Sequence, residues 1–120
     1  MRTLSVLLAE DNLVGRKIAG KILESLSCSV DFAEDGVEAV EKAASRQYDI
    51  ILMDMVMPEM NGGDASAAIR ARGISTPIVA MSANILSKEQ IEKYGMDGSI
   101  PKPFNRNDIA EALRKYGHEC

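Results

Sequence analysis

At 120 residues, with 46% apolar and 27% charged side chains, the chain has the size and composition of one folded domain, and disorder is disfavoured. A formal net charge of −4 argues against a nucleic-acid surface, which would show as a basic patch or stripe. Two cysteines, Cys28 and Cys120, make neither a disulfide framework nor a C-x-x-C pair, which fits a reducing cytoplasm. The opening MRTLSVLLAED has too short an apolar run to span a membrane and turns acidic at once, so it reads as neither an export signal nor a membrane segment.

Leu4 to Ala9 is short, apolar and bounded by acids, and reads as a first strand leading into Glu10-Asp11-Asn12. Val14, Ile18 and Ile22, continued by Leu26, recur at spacing four, with Arg16, Lys17, Lys21 and Glu24 largely off that row. This predicts an amphipathic helix over about 13–26, the row facing inward and Asn12 as its N-cap. Val30 to Ala33 reads as a second strand and Glu34-Asp35-Gly36 as a turn; Val37, Val40 and Ala44 mark the face of a second helix. Ile50 to Met53, within a strand expected over about 48–53, is a continuous apolar run of the kind buried on both faces of a parallel sheet. It ends in Asp54, and Pro58 with Asn61-Gly62-Gly63 supplies turn chemistry. Asp64 to Arg72 follows as an Ala-rich helix stopped by Gly73, with Ala65, Ala68 and Ile69 at helical spacing. Pro77 to Met81 is a fourth strand, left through Ser82-Ala83-Asn84. Lys88 to Tyr94 is a short polar helix closed by Gly95, and Gly98 to Ile100 a minimal fifth strand before Lys102-Pro103-Phe104. Asn107 or Asp108 caps a last helix with Ile109, Leu113 and Tyr116 on one face.

Five β-α units with short connections imply an α/β domain with a mostly parallel sheet, helices on both faces and right-handed crossovers. Residues 1–120 then form one domain, with nothing left over for a second. In such a sheet the carboxyl ends of all strands share one edge, where ligands bind. The first strand brings Glu10 and Asp11 there, the third Asp54, the fourth Ser82 and the fifth Lys102. Each residue alone reads as a cap or a solvated surface group; their joint arrival at separate strand ends does not.

Two carboxylates about 4 Å apart repel by about 4 kcal/mol at an effective dielectric near 20. Three together raise one another's pKa or recruit a cation, and an all-oxygen site with few protein ligands suits Mg²⁺. A metal ion together with Lys102 would neutralise phosphoryl oxygens, Ser82 could donate a hydrogen bond to another, and a carboxylate can itself be the nucleophile. The set has what phosphorylation of Asp54 requires. His118, in the C-terminal tail, reads as inert, and Cys28 as a small core or loop residue.

LLAEDN at 7–12, DIILMDMVMPEMNG at 49–62, MSAN at 81–84 and PKPF at 101–104 stand in the order and spacing of a known family. Over essentially its whole length the chain resembles the receiver domain of two-component response regulators, including those attached to hybrid sensor kinases. The resemblance implies a flavodoxin-like (βα)5 fold with strand order 2-1-3-4-5. It implies that Asp54 accepts a phosphoryl group from a phosphohistidine on a sensor histidine kinase or histidine phosphotransfer domain. Asp11 and Asp54 would hold Mg²⁺ by side chains, Val56 by its backbone carbonyl and Glu10 through a water. Ser82 would follow the phosphoryl group, Lys102 would pair with it, and the Lys102-Pro103 bond would be cis. The implied protein is cytoplasmic, a monomer or weak dimer, and not an enzyme beyond its self-catalysed phosphotransfer and autodephosphorylation.

One position departs from the family. Many receivers carry an aromatic residue three before the lysine, and here it is Ser99. A rearrangement concentrated near Ser82 and the following loop is therefore expected. Two other readings are weaker. A dehalogenase-type phosphatase with Asp54 as nucleophile needs a second Asp where this chain has Val56. A flavin-binding module needs a hydroxyl- and glycine-rich phosphate loop where this chain has Glu10-Asp11.

Overall fold

The computed structural model describes residues 3–84 and 86–117, so His118 and Cys120 lie outside the described residues. Five parallel strands, β1 (Ser5–Ala9), β2 (Ser29–Ala33), β3 (Ile50–Asp54), β4 (Ile78–Ser82) and β5 (Gly98–Pro101), form one sheet of order β2-β1-β3-β4-β5. Between and after them run α1 (Leu13–Ser25), α2 (Gly36–Ser45), α3 (Gly62–Ala71), α4 (Lys88–Lys93) and α5 (Arg106–Ala112), the last running into a π-helical turn, Leu113–Gly117. This is the expected flavodoxin-like topology. No helix among the described residues is long and apolar enough to cross a membrane.

The alternation of strand side chains divides the core into two layers. Leu7, Ile51, Met53 and Ile78 point to the face covered by α2 and α3. Val6, Leu8, Leu52, Val79 and Met81 point to the face covered by α1 and α5. Every residue of β3 and β4 is buried, which explains their unbroken apolar runs. Each large side chain buried there contributes about 1.5–3 kcal/mol.

Two helix faces differ from the sequence-based expectation. Val14 and Ile18 are 63% and 51% exposed, and α1 instead buries Ala19, Gly20 and Leu23. A spacing of four residues overshoots a 3.6-residue turn by about 40° at each step, so the row winds round the helix rather than running along its contact line. Small residues on the true contact line let the helix lie close: a Cβ on Gly20 would come within 3.0 Å of the Phe32 ring. In α2, Val37 and Ala44 are exposed while Ala39, Val40 and Ala43 are buried.

The helix starts also moved. Asn12 caps α1 as expected, accepting from the Gly15 amide at 3.0 Å. The last helix is capped by Asn105 rather than by Asn107 or Asp108; Asp108 is instead the returning partner of a capping box. Asn61-Gly62-Gly63 is not a free turn but the cap and first two residues of α3. A Cβ on Gly62 would lie 2.1 Å from the Asp54 carbonyl oxygen, so only glycine lets α3 start this close to the end of β3. Gly73 and Gly95 take positive φ (79° and 73°) where α3 and α4 end, the stop role expected of them.

Candidate functional site

Among the described residues, the buried polar or charged ones are Glu10, Asp54, Ser66 and Ser82. Ser66 is satisfied within its helix, donating to the Gly62 carbonyl at 2.8 Å. The other three stand at the carboxyl edge of the sheet. Asp54 is the last residue of β3, a little deeper than a position beyond the strand, and is level with Met81 of β4. Ser82 ends β4 opposite Pro101, and the next amide, Lys102 N–H, donates to the Ser82 carbonyl at 2.9 Å. The register therefore delivers Lys102 beside Asp54. The Lys102-Pro103 bond is cis, as expected.

Lys102 Nζ donates to Asp54 Oδ2 at 2.9 Å and to Glu10 Oε1 at 3.0 Å. The remaining carboxylate oxygens are held by backbone: Asp54 Oδ1 accepts from the Val56 amide at 3.2 Å, and Glu10 Oε2 from the Asn12 amide at 3.3 Å. Asp11 is exposed, yet carboxylate oxygens of Glu10, Asp11 and Asp54 all lie within 4.8 Å of one another. Val56 is 79% exposed, and Ser82 Oγ accepts from the Asn84 amide at 3.1 Å.

Two carboxylates, Glu10 and Asp54, share one ammonium, and the Asp11 carboxylate stands beside them. Burial, reinforced by the adjacent Asp54 carboxylate and opposed by Lys102, pushes the Glu10 carboxyl up to about 7. Burial alone would lower the Lys102 ammonium, but its bonds to Asp54 and Glu10 outweigh that and raise it. The cluster thus holds a permanent cation next to surplus negative charge. Its donors are all oxygen, which fits a hard cation such as Mg²⁺ and not a thiolate- or imidazole-seeking metal.

All five expected residues meet at this edge. Ser99, where many receivers carry an aromatic residue, is exposed on β5. Two neighbours were not singled out from the sequence. Gly15 lies against Glu10, where a Cβ would come within 2.9 Å of Oε1. Arg16 Nη1 donates to the carbonyls of Glu10 and Asp11 at 2.9 and 3.0 Å. Gly15 is a matter of space that no pattern announces. A cation in the opening of a helix is a signal, since the helix dipole disfavours it there.

The family model for the response regulator receiver domain matches residues 6–114. The chain belongs to this family. The receiver is 36% identical over 113 residues to the transcription factor SKN7 of Saccharomyces cerevisiae, spanning 92% of this chain and 18% of that protein. It thus corresponds to a small part of that relative's length. Among solved structures it superposes, with a TM-score of 0.88 and 35% identity, on the receiver domain of a Pseudomonas aeruginosa sensor histidine kinase (97% and 98% of the two chains). That domain was crystallised with magnesium coordinated in the active-site cleft. It also superposes on a structure of the Saccharomyces cerevisiae histidine phosphotransfer protein Ypd1 with the receiver domain of its downstream response regulator Ssk1. There the TM-score is 0.89 and the identity 25%, over 96% and 89% of the chains. Receiver domains are the phosphoacceptor modules of two-component signalling.

Proposed function

We propose that Asp54 of this receiver accepts a phosphoryl group from a phosphohistidine on a sensor histidine kinase or histidine phosphotransfer domain. The reading is carried by Lys102 Nζ, which bridges Asp54 and Glu10 in a cluster that Asp11 completes. An Asp54 carboxylate oxygen attacks phosphorus, the P–N bond breaks as the P–O bond forms, and the departing imidazole keeps the electron pair. Lys102, already at hydrogen-bond distance from Asp54, neutralises charge on the transferred group without reorganising. Ser82, at the neighbouring strand end, donates to a phosphoryl oxygen. The side chains of Asp11 and Asp54 and the backbone carbonyl of Val56 would hold Mg²⁺, with Glu10 reaching it through water. When bound, the ion supplies further neutralisation of phosphoryl charge. The same residues favour later hydrolysis of the acyl phosphate, so transfer and dephosphorylation are self-catalysed.

The donor's docking surface adjoins the site. A groove of about 290 Å³ is lined by Glu10 and Lys102 and by Ile18, Pro103 and Phe104. Exposed Leu13 and Val14 lie on the same helix. A phosphohistidine domain docked on this apolar rim would cover the outward-facing half of the α1 row. The domain acts in the cytoplasm as a monomer or weak dimer and contacts neither nucleic acid nor membrane directly; residues 1–120 function as one receiver domain.

Incubation with Mg²⁺ and a small acyl phosphate should add one phosphoryl group by intact mass, and Asp54→Asn should add none. Equal labelling of both proteins would refute the assignment. Ile18→Glu should slow transfer from a phosphorylated phosphotransfer domain about tenfold more than labelling by the small donor. Equal effects on both would move the docking surface elsewhere.

A further inference from the structure

Among the described residues, four of the five α-helices carry an acid in the first turn: Glu38 in α2, Asp64 in α3, Glu89 in α4 and Asp108 in α5. Each complements the positive end of its helix. The first turn of α1 has no acid, and directly after it comes Arg16. A cation is unfavourable there. Its side chain leans back toward the N-terminus, the ordinary direction for a long helical side chain. One guanidinium nitrogen then meets two successive carbonyls, Glu10 O at 2.9 Å and Asp11 O at 3.0 Å. These carbonyls belong to the two residues whose carboxylates join Asp54 in the acidic cluster.

We infer that Arg16 is a positioning residue, a clamp on the backbone of the β1–α1 loop that aims the Glu10 and Asp11 carboxylates at Asp54. This rests on the metal-binding reading of that cluster. Without the clamp, three carboxylates that repel one another would relax, and the exposed Asp11 is the one free to swing away. The neighbouring contacts explain why one side chain has this task. Glu10 is already held by Lys102 Nζ and by the Asn12 amide, and Gly15 leaves it room. Among the described residues, Arg16 is the side chain that donates to the Asp11 carbonyl.

Positioning and plain electrostatics predict opposite signs. Removing a cation near an acidic cluster should tighten a divalent ion if charge were all that mattered. Removing a positioning group should weaken it, on the order of tenfold for groups that orient metal ligands. Arg16→Met and Arg16→Gln both lose the charge and the reach to the carbonyls, and either suffices should the other not fold. Each is titrated with Mg²⁺ while the amide resonances of residues 10–12 and 54–56 are followed, and amide exchange is read in the metal-free protein.

The expected result is about tenfold weaker Mg²⁺ binding. Amide exchange at residues 10–12 should be faster while that of β3 is unchanged, and the phosphorylation rate should be restored by excess Mg²⁺. Binding as tight as wild type, or tighter, would overturn the inference, as would loss of protection across β3, which marks a general structural role. If the wild-type protein itself shows no Mg²⁺-dependent shift at Asp11 and Asp54, the metal reading falls and this role with it. Unchanged exchange of residues 10–12 in the metal-free variants would refute the clamp alone.

Discussion

The clusters round Arg70 and Lys102, each built on one long basic side chain, treat charge in opposite ways. Arg70, from α3, donates to the carbonyls of Gly95, Ile74 and Thr76 at 2.8 Å each and to Asp97 Oδ2 at 3.0 Å. One guanidinium faces one carboxylate, and every remaining bond goes to neutral backbone. Asp97 also accepts from the Ile78 amide at 2.9 Å, so the cluster ties α3, the start of β4 and the turn after α4 into one balanced brace. Lys102 faces two carboxylates, with a third within ligand distance. A structural cluster closes its charge account; the edge of the sheet leaves it open, and open charge is what recruits a cation and a phosphoryl group.

The comparison can be broken from either side. The largest effect is expected from Lys102→Met, which should slow phosphorylation of Asp54 by small donors about a hundredfold, the scale of losing one preorganised donor to developing charge. Rates from intact mass over time would check it; an unchanged rate would make Lys102 a structural counter-ion only. Arg70→Met should do the reverse. It should cost about 2 kcal/mol in urea unfolding, mainly from carbonyls left without a donor, while labelling of Asp54 stays near wild type. The Asp97 pair adds little because that side chain is 42% exposed and screened.

A third test uses pH. The Glu10 carboxyl stands at about 7 in the folded protein against an ordinary value of 4.5. Between these values the folded state binds more protons than the unfolded one, so this group's stabilising contribution is fully present below about 4.5 and is lost as pH rises through 7. Urea melts in chelator should therefore show stability falling between pH 5 and pH 8, a slope that Glu10→Gln flattens. Excess Mg²⁺ should oppose the loss at the alkaline end. A flat profile in the metal-free wild type would mean that Lys102 already compensates the cluster fully.

The smallest effect belongs to a region outside both clusters. Helix α4 buries no residue and starts from a Ser87–Gln90 capping box. Ser87→Ala should weaken its opening by about 1 kcal/mol, seen as faster amide exchange over 88–93 with phosphorylation unchanged. A change in Asp54 labelling would instead tie α4 to the acidic edge.

The candidate site was legible in the sequence because its logic is one-dimensional. Each of Glu10, Asp11, Asp54, Ser82 and Lys102 ends a short apolar run or lies within two residues of its end, and parallel strands bring such positions to one edge whatever the details of packing. Val14 and Ile18 show the limit of that reasoning. Their apolar character reads as core, yet both face outward, with Ile18 lining the groove it shares with Phe104, because the buried stripe of α1 follows Ala19 and Leu23. Spacing reveals that a helix has an apolar row; it does not say whether the sheet or a partner covers it.

The sequence by itself determined the order of strands and helices, the residues at the carboxyl edge and the glycines that stop α3 and α4. These depend on local propensity and on a two-residue alternation that tolerates small errors of boundary. Only the tertiary structure decided that Lys102 bridges Asp54 and Glu10 and that Gly15 and Gly62 are spacers at the site. It also placed Arg16 on the carbonyls of the acidic loop. The Lys102 contacts join elements up to 92 residues apart and are set by register, while the cation in the opening of α1 marks Arg16 in the sequence but not the carbonyls it meets.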